Sequence, residues 1–266
     1  MTDTKTITMH TQQYNKYTST QHATWFLLFN RQMGAVKQYA YKGFAEGISN
    51  LGFSNQSIPN FDSINHRLFP LTGWRIYAVP GLIENQYFFE QMHEKKFGAT
   101  TWIRKPEQVD YLEEPDMFHD VFGHIPLLAD TAIAEYLFSI AGIANRYINN
   151  EEVIEAIARL YWYTIEFGLV RENGKLKIYG AGILSSIAET EFCFSNKAVL
   201  KAFDAEEIIN TPYIKDSFQQ QYYVLQSFAD LEKGIVKLEK YLRNKFAGSL
   251  SENIRIPDSG ELKLNS

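Results

Sequence analysis

The sequence predicts a mainly α fold with short β strands, and three observations carry that expectation. Apolar residues recur at spacings of three and four along most of the chain, the period of an amphipathic helix. Runs that read as extended are few and short. The interior has no internal repeat, no low-complexity segment and no Pro/Gly/Ser-rich linker, so the 266 residues are expected to bury one substantial core.

Residues 1–18 are rich in Thr, Gln and Asn without periodicity and are expected to form a flexible N-terminal arm. A single domain is expected over residues 19–247, with a tail over residues 248–266. Trp25, Leu28, Phe29, Met33, Val36, Ala40 and Phe44 make one helical stripe, with Ser19 or Thr20 as its cap and Asn50-Leu51-Gly52 as its end. A shorter helix starts near Pro59 and Asp62 and reaches Leu68 and Phe69. Trp74 to Val79 reads as a strand stopped by Pro80-Gly81, followed by a helix from Asn85 to Lys95 and a second strand near Thr100 to Ile103. The centre is mostly helical, with helices expected at 116–123, 131–148 and 151–168. Asn173-Gly174 is a two-residue hairpin signal between Leu169-Val170-Arg171 and Leu176-Lys177-Ile178. Gly180-Ala181-Gly182 leads to a helix from Ser185 to Thr190, Phe218 to Val224 is aromatic and partly β-like, and Asp230 to Phe246 is a charged terminal helix.

Hydrophobic residues at 45% and charged ones at 21% are ordinary globular values, while 15% aromatics suits a pocket that stacks on flat ligands as well as it suits a core. The net charge of −5, without a basic block, excludes the electrostatic footprint of a nucleic-acid binder. No apolar run approaches the roughly 20 residues of a membrane helix, and the N-terminus lacks the apolar stretch of a signal peptide. Cys193, the only cysteine, rules out an intrachain disulfide and a thiolate zinc cluster. These features point to a cytoplasmic protein.

The chemistry concentrates in Pro115-Asp116-Met117-Phe118-His119-Asp120-Val121-Phe122-Gly123-His124, which holds two of six histidines. Five residues turn about 500° on an α-helix, leaving His119 and His124 about 140° apart. Convergence therefore requires the helix to distort or end between them, with Gly123 supplying a break and Pro126 pushing Ile125 out of the α region. Without that, they are two ordinary histidines at a helix–loop junction. Glu166 lies on a helical line with Glu155, Arg159 and Trp162, which could be a solvated face. Yet Tyr163, Phe167 and Val170 flank it, and a carboxylate among them needs a cation or an ion-pair partner. Two imidazoles and a carboxylate are the ingredients of a facial triad for non-haem Fe(II). Arg104, after Trp102-Ile103, carries a fork suited to a carboxylate, with Asp116 a more economical partner than a ligand. The Gly180–Ser186 segment lacks the Lys of a phosphate cradle and reads better as a backbone turn lining a pocket.

Taken together, PDMFHDVFGHIPLL, RLYWYTIEFGL and IYGAGILSS resemble the tetrahydropterin-dependent aromatic amino acid hydroxylases. VPGLIENQYFFE and TWIRKPEQVDYLEEPD fall in register, and the resemblance runs from about His22 to Asp230. It implies that family's catalytic-domain fold and a monooxygenase that hydroxylates L-phenylalanine to L-tyrosine with O2. It implies Fe(II) on His119, His124 and Glu166, with Tyr161 close to the iron. A tetrahydropterin (tetrahydrobiopterin or a related reduced pterin) would stack on Phe88, with Gly81, Leu82 and Ile83 along its edge and Asp120 contacting it. Arg104 would clamp the amino acid's carboxylate and Asp116 would orient Arg104. Pro115, His119, Trp162 and Phe167 would surround the ring, with Gly182 and Ser185 near the substrate's backbone end.

Two departures touch specificity. Leu112-Glu113 stands where animal members have Thr-Pro, and the position separating phenylalanine from tyrosine preference falls at Lys215. Trp162 speaks against tryptophan hydroxylation, since those members carry Phe there. Tyrosine or tryptophan as substrate, and a non-catalytic member that binds pterin or amino acid, remain the rival readings. No N-terminal regulatory domain is expected, and a tail without a long apolar heptad series points to a monomer.

Overall fold

The structure, a computed structural model, describes residues 10–110, 112, 114–214 and 218–246. Lys215 and Glu113 lie outside the described residues. The architecture is mainly α, with two small sheets.

Helix α1 (Ser19–Tyr39) begins at Thr18, one residue before the expected cap. Gln21 N–H donates to Thr18 Oγ1 at 3.3 Å and Thr18 N–H to Gln21 Oε1 at 2.9 Å, a reciprocal capping box. The stripe expected to run unbroken to Asn50 is split: Ala40 and Tyr41 are extended, and α2 (Lys42–Asn50) starts afresh. Tertiary pairing wins over helical propensity here, because Tyr41 N–H donates to Ile178 O at 2.9 Å and Ala40 bridges to Ile178. Helix α3 (Phe61–Thr72) is capped by Asn60 and ends at Gly73 with φ 79°, a left-handed stop.

Strand β1 (Arg75–Val79), helix α4 (Asn85–His93) and strand β2 (Lys96–Thr100) form a parallel crossover pairing Arg75 with Lys96 and Val79 with Thr100. The second strand thus lies four residues before its expected place. Lys96 and Gly98 hide it, being poor strand formers that parallel pairing nevertheless recruits.

The central helices are α5 (Ile125–Leu128), α6 (Thr131–Arg146) and α7 (Glu151–Tyr161), the last two capped by Asp130 and Asn150. Two π-helical turns interrupt them, Phe118–His124 before α5 and Trp162–Glu166 after α7. The hairpin of β3 (Leu169–Glu172) and β4 (Lys175–Ile178) turns at Asn173 and Gly174, both with positive φ (51° and 74°), as its Asn-Gly pair requires. The helix expected from Ser185 is instead two, α8 (Ala181–Leu184) and α9 (Ile187–Cys193), because Ser186 caps the second. Strand β5 (Val199–Ala202), helix α10 (Ala205–Ile209), strand β6 (Gln221–Leu225) and helix α11 (Ala229–Lys245) follow, and the larger sheet has the order β4-β3-β6-β5.

Residues 10–18, expected within a loose arm, are tied down. His10 bridges to Ala78, Gln12 Nε2 donates to Pro59 O at 2.9 Å, and Tyr17 OH donates to Thr101 O at 2.7 Å. Composition could not show this, because the partners lie far away in sequence. In the core, Phe118 stacks on Phe122 at 4.7 Å and meets Trp25 edge-on at 5.4 Å. One side of the first π-turn is thereby anchored in apolar packing, and its other side is left for the site.

Candidate active site

The anticipated break at Gly123 does not occur. The chain stays helical through His124 and Ile125, and the distortion is the π-turn itself. Bonding from i to i+5 places residues five apart nearly above one another, so His119 and His124 come to share a face. Their Nε2 atoms stand 3.2 Å apart. Gly123 serves packing: a Cβ there would lie 2.9 Å from the backbone oxygen of Ala181.

The second π-turn does the same for Glu166. Phe167 N–H donates to Trp162 O at 3.0 Å, an i to i+5 bond that swings Glu166 off the line of Glu155 and Arg159. Glu155 stays exposed, while Glu166 reaches the histidines with Oε1 3.1 Å from His124 Nε2 and Oε2 3.6 Å from His119 Nε2. Three donors at about 2.1 Å from one ion stand about 3.0 Å apart if octahedral and about 3.4 Å if tetrahedral. The observed separations fit one ion. Among the described residues, this is the one group of three His, Cys, Asp or Glu side chains arranged to hold a metal.

The surrounding hydrogen bonds fix which nitrogen faces the cluster. Ser185 Oγ donates its proton to Ala181 O at 2.8 Å, so it accepts from His119 Nδ1–H at 2.9 Å. The Nε2 lone pair of His119 then points at the cluster. His124 Nδ1 lies 3.3 Å from Tyr161 OH. Two imidazole nitrogens and a carboxylate converging in this way are a donor set suited to one metal ion. Burial pushes the Glu166 carboxyl up, but His124, His119 and Tyr161 outweigh it and hold it below its ordinary value. Burial keeps His119 below the usual imidazole value and, aided by the Glu166 and Asp120 charges, holds the Tyr161 phenol well above its own.

A cavity of about 190 Å³ opens over the cluster. Gly81, Leu82, Ile83, Phe88, Pro115, Asp120, Tyr161 and Trp162 line it together with the three ligands. One Asp120 oxygen accepts from Thr100 N–H at 2.8 Å, and burial raises its carboxyl above the ordinary value. The flat wall of Phe88 beside a carboxylate fits a planar ring bearing N–H donors.

Arg104 and Asp116 do not line the cavity. Arg104 donates through Nε at 2.9 Å and Nη2 at 2.8 Å to the fully buried Asp116, which also accepts from Arg104 N–H and His119 N–H. The structural partnership is present, and two of the five guanidinium donors satisfy it. Phe167 packs on Trp162 at 4.8 Å. Gly182 backs the carboxylate so closely that a Cβ would lie 3.2 Å from Glu166 Oε2. Sequence reasoning missed Phe97, whose ring is 5.0 Å from His124, and Tyr213, stacked on Trp162 at 4.4 Å. Phe97 sits on the misplaced strand. Tyr213 lies in an aperiodic stretch that carries no local signal.

Two histidines and a glutamate beneath an aromatic cavity form a site able to hold one metal ion, open on its cavity side. The sequence family described as biopterin-dependent aromatic amino acid hydroxylase matches residues 8–254. The chain is 42% identical over 223 residues to the phenylalanine-4-hydroxylase of Ralstonia nicotianae, spanning 83% of this chain and 70% of that one. The crystal structure of Chromobacterium violaceum phenylalanine hydroxylase with bound iron and phenylalanine superimposes with a TM-score of 0.82 at 36% identity, covering 96% of this chain and 93% of that one. Another, with iron(III) and the oxidised cofactor 7,8-dihydrobiopterin, gives 0.83 at 38% identity and covers 94% and 91%. The chain belongs to the biopterin-dependent aromatic amino acid hydroxylases.

Proposed function

We propose that the protein is a phenylalanine 4-monooxygenase, converting L-phenylalanine to L-tyrosine with O2 and a tetrahydropterin. The observation that carries this reading is the convergence of His119, His124 and Glu166 beneath a cavity walled by Phe88 and Trp162. Kinship with proteins named phenylalanine-4-hydroxylase supports phenylalanine over other aromatic amino acids.

His119, His124 and Glu166 would hold Fe(II). The iron and the reduced pterin supply open coordination positions and two electrons, so that one oxygen atom enters the ring and the other leaves as water. The protein's own part is to position, shield and hold protons. Phe88 offers its face to the pterin and Asp120 accepts from its ring N–H groups. Arg104, its fork held by Asp116, turns its remaining donors to the amino acid's carboxylate. Pro115, Trp162 and Phe167 wall the substrate ring and keep water away from the reacting positions. Tyr161, held protonated, steadies His124 and Glu166, while Ser185 and Gly182 fix His119 and Glu166 from behind. Residues 19–247 act as the catalytic unit, in a monomeric enzyme of the cytoplasm.

Anaerobically iron-loaded protein, given tetrahydrobiopterin, O2 and in turn phenylalanine, tyrosine and tryptophan, tests this directly. Tyrosine formed from phenylalanine is the expected product. Hydroxylation of tryptophan or tyrosine in preference would refute the substrate, and no turnover with any of the three would refute the activity.

A further inference from the structure

We infer that Gln219 is a positioning residue for hydroxylation, acting through Trp162 to set the wall against which the substrate ring lies. The inference rests on the phenylalanine reading above. Trp162 lines the cavity from the second π-turn. Its faces meet aromatic neighbours, with Tyr213 stacked at 4.4 Å and 19° and Phe167 at 4.8 Å. Stacking is broad in energy, so it leaves the indole free to slide and rotate within its own plane. A directional bond removes that freedom. The indole's one polar atom, Nε1, donates to Gln219 Oε1 at 2.7 Å.

Gln219 is itself held from behind. It is 6% exposed, and its backbone N–H donates to Glu189 Oε1 at 3.2 Å. The same oxygen accepts from Tyr222 OH at 2.5 Å. Glu189 is 7% exposed and sits in the first turn of α9, fixed by the Ser186 cap. A buried relay thus runs from α9 through Glu189 and Gln219 to the cavity wall. Neither Gln219, Glu189 nor Tyr222 lines the cavity, so the relay reaches the ring through Trp162. Poor placement of that ring lets the reduced pterin be oxidised without hydroxylating the amino acid.

Gln219→Leu, Trp162→Phe and their double variant test the relay, with Gln220→Leu at the neighbouring exposed position as the control. The readout is tyrosine formed per tetrahydrobiopterin oxidised, a ratio that does not depend on how much of a variant is folded. Gln219→Leu is expected to lower it about threefold or more, and to change it little once Trp162 is Phe, because residues acting as one unit are not additive. Gln220→Leu is expected to match wild type. Tyr222→Phe removes the other donor that holds Glu189 Oε1 and so loosens the relay upstream of Gln219; it is expected to lower the ratio in the same direction, which keeps the test open if Gln219→Leu does not fold. A wild-type ratio in every relay variant that folds, or an equal fall in both Trp162 backgrounds, would overturn the inference. Failure of the wild-type protein to form tyrosine at all would instead overturn the function it rests on.

Discussion

Replacing Ser185 by alanine separates metal binding from substrate binding. In the folded protein His119 Nδ1–H is satisfied by Ser185 Oγ at 2.9 Å, and the serine proton is satisfied by Ala181 O at 2.8 Å. Alanine leaves a buried N–H and a carbonyl without that partner. An orphaned buried group costs about 1–3 kcal/mol. His119 can relieve the loss by changing tautomer or rotating, but either move withdraws Nε2 from the cluster it shares with His124 and Glu166. Fe(II) affinity is therefore expected to fall about 10- to 100-fold, the usual range for losing a partner of a ligating histidine. Anaerobic titration of Fe(II) or Co(II) against a competing chelator measures it, with a melting curve to confirm folding. If affinity stayed within about twofold of wild type while the Michaelis constant for phenylalanine rose, Ser185 would serve the amino acid alone and the reasoning would fail.

Arg104→Lys keeps the charge but loses the fork that Asp116 grips, so the Michaelis constant for phenylalanine should rise at least about tenfold and that for pterin little; equal rises in steady-state kinetics would refute the clamp. Gly123→Ala forces a Cβ to 2.9 Å from the backbone oxygen of Ala181. It should cost about 1–3 kcal/mol, lowering the melting temperature by several degrees, and an unchanged melting temperature would show that α8 yields freely. Burial raises the Glu189 carboxyl above its ordinary value, against the hydrogen bonds from Tyr222 and Gln219. The folded state then keeps a proton the unfolded chain sheds, so this contribution is full below the unfolded value and lost as pH rises through the folded one. Melting of Glu189→Gln relative to wild type should therefore climb as pH rises past the ordinary glutamate value of about 4.3, and a pH-independent difference would refute it.

His119, His124 and Glu166 were legible as candidate ligands because they are polar exceptions in apolar runs, but their geometry was not. Regular helical arithmetic set the two histidines about 140° apart, since no residue type announces that hydrogen bonding has slipped from i+4 to i+5. Gly123 was noticed for the wrong reason: it is small to admit α8, not to end a helix. The hairpin at Asn173-Gly174 was readable because its backbone demand is local. Strand β2 and the break at Ala40 were not, since Lys96–Thr100 and Tyr41 take their conformations from partners elsewhere in the chain. Gln219 and Tyr213 join the site across about 50 residues of chain from Trp162, a distance over which single-sequence patterns are silent.

Each of the two π-turns, Phe118–His124 and Trp162–Glu166, holds one residue more than an α-helical turn would. Removing one residue between His119 and His124 would restore ordinary helix bonding and leave the two histidines four apart, about 40° from each other on an α-helix. The spacing of five between His119 and His124 thus converges only because the turn is π-helical. Carried onto a straight helix with their spacing of five unchanged, the two histidines would stand about 140° apart and would not converge.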